Sequence, residues 1–238
     1  MSIYKNLCLI PAKAASTRLK KKNILKINGK ELIYYPLRAA KESNLFRDKV
    51  FVSTESEEIK QIAEKYGAKV HLRDPKLAHD PCGVVDVTLE FLDKNPEYKE
   101  YNNIFILLPT FPMILAKDII NSFAIYKKAN FKYLMSVTET QHNAFRAILV
   151  KENQLEPIFK DKILKRTQEL EKTYRVNGAI TIMDVKDFLK SKSYYTFPVG
   201  TYIMPKERSI DIDTEFDYKL AKTIMENKEI FKKWVNKN

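Results

Sequence analysis

Glycine is scarce in this chain, with five in 238 residues. The chain has no Walker-type phosphate loop, which needs spaced glycines and a Gly-Lys-Ser/Thr ending. The two cysteines, Cys8 and Cys82, show neither metal-ligand nor redox spacing, and Cys8 lies in an apolar run. A reduced, cytoplasmic setting is therefore expected. The three histidines, His71, His79 and His142, also lack metal spacing and read as surface or structural residues rather than general bases. No run of about 18 apolar residues occurs, so no membrane span is expected. The first residues lead straight into a strand pattern, and no signal peptide is expected.

Hydrophobic residues make up 45% of the chain and charged residues 30%, enough for a large core. One domain over residues 1–238 is expected. Lysine and arginine outnumber acids 42 to 30, a net charge of +12, which first suggests nucleic acid. The lysines are spread over the whole chain rather than gathered in an arm or stripe. A small anion such as a nucleotide or sugar acid needs only a local basic cluster, so neither a nucleic-acid nor a membrane partner is expected.

Strand and helix patterns alternate. Strands are predicted at residues 7–10, 50–53, 67–70, 104–108, 133–137, 179–183 and 201–204. Helices are predicted at 31–41, with Pro36 an irregularity, and at 56–66, 85–92, 116–129 and 216–235. This alternation implies an α/β fold with a mostly parallel Rossmann-like sheet and helices on both faces. Chemistry then belongs just beyond the strand ends at Ile10, Ser53, Val70 and Leu108. Residues about 139–175 break the alternation and read as an inserted hairpin and arm, either a subunit contact or a disordered flap.

Two segments carry charge in a pattern that suggests chemistry. In Ser209-Ile210-Asp211-Ile212-Asp213-Thr214, period-two alternation puts Asp211 and Asp213 on one face, about 7 Å apart. Thr214 and Asp217 fit a capping box that starts a helix. The acids either hold a divalent ion or form a solvated strand end. The second segment follows the first strand. Lys13, Arg18, Lys20, Lys21 and Lys22, with Ser16, Thr17 and backbone amides, form either a phosphate-binding loop or a solvated basic loop.

The order of residues resembles the cytidylyltransferases that activate sialic acid and related nonulosonic acids. The first loop is similar to that family's Ile-Pro-Ala-Arg-x-x-Ser…Lys-Asn signature. Leu107-Leu108-Pro109-Thr110-Phe111-Pro112 resembles Leu-Gln-Pro-Thr-Ser-Pro. Arg166 to Leu170 with Asn177-Gly178-Ala179-Ile180 resembles a third block, and Tyr202-Ile203-Met204 with Ser209 to Thr214 a fourth. The resemblance spans residues 7–222 and implies a nucleotidyltransferase (GT-A-like) sheet, a homodimer with the inserted arm at its interface, and magnesium. It implies transfer of CMP from CTP to a nonulosonic acid, with release of pyrophosphate. No covalent protein intermediate is needed, so catalysis is positioning and charge neutralisation.

By this resemblance Asp211 and Asp213 are the metal carboxylates. Lys13 and Lys22 neutralise phosphate charge and count with the two acids as catalytic, Ser16 bonds phosphate, and Ala12, Ala14, Asn23 and Arg73 line the nucleotide. Arg73 either approaches the cytosine or forms a strand-end salt bridge. Asp80 either caps a helix or contacts ligand. Leu108, Arg146, Arg166, Gln168, Tyr174, Asn177, Tyr194 and Tyr195 fall around the sugar. The chain also departs from the pattern. Lys13 replaces arginine, giving a point charge for a bidentate fork. Ala14 and Ala15 replace glycines, and alanine restricts positive φ. Pro81 to Val84 departs from a serine-containing stretch. Leu108 replaces a glutamine, Thr181 a tyrosine and Phe111 a serine. Loss of a hydrogen-bonding amide favours a less polar sugar, of legionaminic or pseudaminic type, over N-acetylneuraminate. The alternatives are an enzyme for the eight-carbon 3-deoxy-manno-octulosonic acid, a non-catalytic binding protein of the same fold, and a basic nucleic-acid-binding protein.

Overall fold

A computed structural model describes residues 4–79 and 81–235. Its centre is a seven-stranded sheet. The chain runs through β1 (Asn6–Pro11), the small hairpin β2 (Lys26–Ile27) and β3 (Lys30–Glu31), then α1 (Tyr34–Glu42), β4 (Val50–Thr54), α2 (Glu57–Lys65), β5 (Lys69–Leu72) and α3 (Val84–Lys94). It continues through β6 (Asn103–Leu107), α4 (Ala116–Lys128), β7 (Tyr133–Glu139), the hairpin β8 (Ile148–Lys151) and β9 (Gln154–Pro157), β10 (Tyr174–Asp184), α5 (Val185–Ser191), β11 (Gly200–Ile203), α6 (Glu215–Glu226) and α7 (Lys228–Val235).

The strand order is β11-β7-β10-β6-β1-β4-β5. Strands β5, β4, β1 and β6 are parallel neighbours, as are β7 and β11; β10 runs antiparallel to both β6 and β7. Residues of β1, β4 and β6 read as continuous apolar runs because helices cover both faces. Cys8, Ile10, Phe105 and Leu107 pack on one face with Leu37 and Phe123, while Leu7, Leu9, Ile104 and Ile106 pack on the other with Phe91 and Phe188. The chain leaves β1 toward β4 and β5, then returns to β6 on the other side. The crevice beyond the carboxyl ends of β1 and β6 is therefore the switch point, where open α/β sheets bind ligands.

Several expectations shift. Pro36 does not disturb α1, because it falls in the first turn, where the helix asks for no N–H donor. The predicted helix over 216–235 is two helices, since the Asn227 side chain accepts from the Ile230 amide (3.1 Å) and starts α7 anew. Residues 209–213 form no regular secondary structure and belong to no sheet. Their alternation survives through packing: Ile212 is buried against Met113 and Ala221, while Asp211 and Asp213 face the crevice. The capping box is present, with the Asp217 amide donating to Thr214 Oγ1 (3.3 Å) and the Thr214 amide to Asp217 Oδ2 (2.8 Å). Within 139–175 the hairpin β8–β9 forms, and its strands are largely exposed.

Candidate active site

A cavity of about 550 Å³ opens at the switch point. The loop after β1, the start of α3, Leu108 to Thr110 after β6, and the acidic segment before α6 form its walls. Four cations line it (Lys13, Arg18, Lys22, Arg73) against two acids (Asp211, Asp213), an excess of two positive charges among the lining residues.

The basic loop is held from behind. Ala12 is buried and its amide donates to the Ser53 carbonyl (2.9 Å). The Ala14 amide donates to Glu55 Oε1 (2.7 Å), and Asn23 Nδ2 to the Lys13 carbonyl (2.8 Å). Lys21 has a φ of 51° in this loop, and neither Ala14 nor Ala15 has a positive φ. The turn thus needs no glycine at the two alanines. Glu55 also accepts two bonds from buried Arg73, from Nε (3.0 Å) and Nη2 (2.6 Å). Burial alone would raise the Glu55 carboxyl. The Ala14 amide and the Arg73 guanidinium outweigh burial and hold it below the ordinary range. Arg73 is a salt-bridge partner and a cavity residue at once.

The acids sit opposite. Asp213 pairs with Lys22 Nζ (2.7 Å) and Arg18 Nη2 (2.8 Å). Asp211 bonds the Thr110 side chain, while its Oδ1 is buried without a hydrogen-bond partner. Burial holds the Asp211 carboxyl above the ordinary aspartate range. The charge of Asp213 adds to this, and Thr110, Lys22 and Arg175 oppose it. A buried, unpartnered carboxylate oxygen costs free energy unless a cation or donor reaches it. The donor set therefore fits a hard cation that takes one or two carboxylates and completes its shell with water and phosphate oxygens. Among the described residues no cluster of three or more His, Cys, Asp or Glu is arranged to hold a metal.

The acidic segment is fixed by a buried ion pair. Arg208 bonds Asp118 through both terminal nitrogens, one at 2.8 Å, and Tyr202 donates to the same carboxylate (2.9 Å). Asn177 completes the anchoring. Its Oδ1 accepts from Ser136 Oγ (2.5 Å) and the Ala179 amide, and its Nδ2 donates to Ser209 Oγ (2.9 Å). With these groups engaged, Asn177 positions the acids from within the core.

The cavity thus brings together Lys13, Ser16, Lys22, Asn23, Arg73, Leu108, Asp211 and Asp213. Ala12 and Ala14 stand behind it as backbone anchors. The other sugar candidates do not converge on it. Arg146 reaches Thr167 Oγ1 (3.3 Å) on the exposed arm, where Arg166 and Gln168 are also exposed. Tyr174 begins β10 at the arm's base. The Tyr194 hydroxyl accepts from Thr181 (3.2 Å), and Tyr195 is edge-on to Phe197. Asp80 lies outside the described residues. Sequence reasoning placed Arg18 only in the basic loop as a whole, and assigned no role to Glu55, Thr110, Arg175 or Arg208. Arg18 and Thr110 lay inside motifs already noted, and Glu55 follows a strand end where chemistry was expected. Arg175 donates to the Ser209 carbonyl (3.3 Å), a pairing across 34 residues that no local pattern reveals.

A family model described as cytidylyltransferase matches residues 7–234. The chain is 34% identical over 226 residues to a pseudaminic acid cytidylyltransferase of Campylobacter jejuni, covering 92% of this chain and 96% of that one. It is 31% identical over 226 residues to a CMP-N,N'-diacetyllegionaminic acid synthase of Legionella pneumophila, with the same coverage. An N-acylneuraminate cytidylyltransferase of Streptococcus agalactiae is 32% identical over 217 residues, 90% of this chain, but the match spans only 52% of that longer protein. Among solved structures, a CMP:2-keto-3-deoxy-manno-octonic acid synthetase complexed with CTP superposes with a TM-score of 0.71 at 18% identity, covering 94% of this chain and 99% of that one. At that identity the likeness is one of fold alone. With a matched model over nearly its whole length and relatives above 30% identity, this chain belongs to the cytidylyltransferase family.

Proposed function

We propose that the chain transfers CMP from CTP to a nine-carbon, sialic-type sugar acid and releases pyrophosphate. The observation that carries this reading is the opposition, across one cavity, of Asp211 and Asp213 to the loop bearing Lys13, Arg18 and Lys22. The anomeric hydroxyl of the sugar attacks the α-phosphorus in line. The new O–P bond forms as the bond to the oxygen bridging to the β-phosphorus breaks; the hydroxyl proton passes to solvent and negative charge grows on the departing pyrophosphate. Lys13, Arg18 and Lys22 neutralise that charge, while Ser16 and the loop amides orient the phosphates. Asp211 and Asp213 would hold magnesium, which supplies Lewis-acid charge neutralisation at the phosphates when bound. Glu55 keeps both the loop and Arg73 in place at the nucleotide end.

The sugar reading rests on Leu108. An apolar side chain lines the cavity where sialic acid enzymes carry an amide, which disfavours a polar substituent by about 1–3 kcal/mol. This supports a legionaminic- or pseudaminic-type sugar, in line with the names of the relatives matched over nearly their full length. The arm residues Arg146, Arg166, Gln168 and Tyr174 would serve the sugar from a second copy of the chain. The exposed apolar residues Val150, Leu155 and Leu164 of the same arm suit a homodimer contact; a monomer in sedimentation at working concentration rejects that part.

The test is pyrophosphate release with magnesium, across CTP, UTP, ATP and GTP and a panel of sugar acids. Turnover is expected with CTP and a diacylamido nonulosonic acid. A preference for N-acetylneuraminate or for the eight-carbon acid overturns the sugar assignment. Asp211→Asn and Asp213→Asn should each lower kcat by about 10²–10³-fold with folding intact; wild-type rates in both would remove the metal role.

A further inference from the structure

A second cavity, of about 320 Å³, shares no residue with the cleft described above. One wall is α1, presenting Tyr34, Tyr35 and Arg38; the β2–β3 hairpin contributes Asn28 from its turn and Lys30 from β3, and the end of α6 with α7 closes it. Its floor is apolar and aromatic, including Met225 and Phe231, while its charged lining is entirely basic: Lys30, Arg38 and Lys232.

Arg38 is the informative residue. Its guanidinium carbon stands 5.8 Å from the Tyr34 ring centroid and 5.9 Å from that of Tyr35. Lys30 Nζ lies 5.4 Å from the same Tyr34 ring. The rings hold both cations in position. Arg38 Nε is buried and has no hydrogen-bond partner, and Glu42 Oε1, with which it forms an ion pair, is 3.8 Å away, beyond hydrogen-bond reach. The long contact to Glu42 leaves the half-buried guanidinium only loosely neutralised, and on the cavity side it is a place where a ligand anion would be stabilising. Lys30 and Lys232 add charge from the other walls.

Three cations beside a group of aromatic rings fit a ligand that is a phosphate at one end and a planar ring at the other. The volume is at the small end of ligand pockets and suits one base, one sugar and one phosphate rather than a triphosphate. Base stacking on aromatic side chains tolerates any base. We propose that this cavity is a second site that binds a nucleoside monophosphate, with its phosphate on Arg38, Lys30 and Lys232 and its base against the tyrosine and phenylalanine rings. The proposal does not depend on the reaction assigned to the first cavity.

Equilibrium dialysis with AMP tests it, using AMP because the first cavity is assigned to a cytidine nucleotide. Wild-type protein should bind AMP saturably below about 1 mM. Arg38→Ala and the charge reversal Lys232→Glu should each weaken binding about tenfold or more, since losing or inverting a charge contact is worth at least that factor. Lys232 is exposed, so its reversal leaves the fold intact. Lys22→Ala, in the other cavity, should bind AMP as wild type does. Inorganic phosphate should bind at least about tenfold more weakly than AMP, because it lacks the stacking ring. The proposal is overturned by the absence of saturable AMP binding, by wild-type affinity in Lys232→Glu, by loss of binding in Lys22→Ala, or by phosphate binding as tightly as AMP.

Discussion

The cleft and the arm are built on opposite principles. The cleft sits at the ends of buried strands, and its charges are braced by others, Asp211 Oδ1 excepted: Asp213 by Lys22 and Arg18, Arg73 by Glu55, and the acidic segment by Arg208 on Asp118. The arm is a two-stranded hairpin and a few short turns, with Val150 70% and Leu164 94% exposed. Groups that stabilise developing phosphate charge must be fixed before the reaction, because reorganising them during it would cost what they contribute. A surface that meets another molecule has no such need within one chain. The residues expected at the phosphates share one cavity within a single copy, while of those expected at the sugar only Leu108 joins them.

The largest effect that sharpens this contrast is on stability. Arg208→Ala leaves the Asp118 carboxylate, fully buried, without its guanidinium partner. Breaking a buried pair in this way costs about 3–5 kcal/mol, to be read from urea unfolding. A loss under about 1 kcal/mol would mean that the acidic segment is not anchored there. Arg166→Ala, on the exposed arm, should leave unfolding within about 0.5 kcal/mol of wild type. It should lower kcat/KM for the sugar acid by about 10²-fold, the expected loss for a misplaced substrate, with KM for CTP unchanged. If Arg166→Ala instead raised KM for CTP alone, the division of labour between cleft and arm would break down.

A smaller effect separates the two ends of the nucleotide. Glu55→Gln can still accept from the Ala14 amide but cannot balance the Arg73 guanidinium. KM for CTP should rise about tenfold, the weight of one charge-assisted bond, while KM for the sugar stays constant. An equal change in both would assign Glu55 to the general fold rather than to the nucleotide.

How much of this was legible follows from the range of each interaction. The parallel alternation was readable because burial on both faces writes apolar runs such as Ile104 to Leu107. The acidic phrase was readable because alternation and capping are local. The same locality explains the misreadings. Nothing between Glu215 and Val235 interrupts the amphipathic pattern, yet one asparagine side chain restarts the helix at Asn227. The antiparallel placement of β10 depends on the arm that precedes it. Links such as Glu55 to Ala14, Arg208 to Asp118 or Asn177 to Ser136 join residues 41 to 90 positions apart. They have no periodicity to betray them.

The smallest expected effect concerns Asp211 itself. Burial lifts its carboxyl above the ordinary aspartate range, so the folded chain holds this proton more tightly than the unfolded chain does. Such a group favours folding fully below the unfolded value, near pH 4, and loses that contribution as pH rises through the folded value. At neutral pH without metal, the ionised Asp211 is therefore a burden on the fold. Asp211→Asn keeps the shape and a partner for Thr110 but carries no charge to bury. Its thermal midpoint at pH 7 should exceed that of the wild type, by no more than about 2 °C for a chain of this size, and the gap should close toward pH 4. Magnesium should raise the wild-type midpoint more than the variant's, since the variant lacks one of the two carboxylates that would hold it. A variant less stable than wild type at pH 7 would mean that the charge on Asp211 is already satisfied within the protein, and the case for a cation at its unpartnered oxygen would fail.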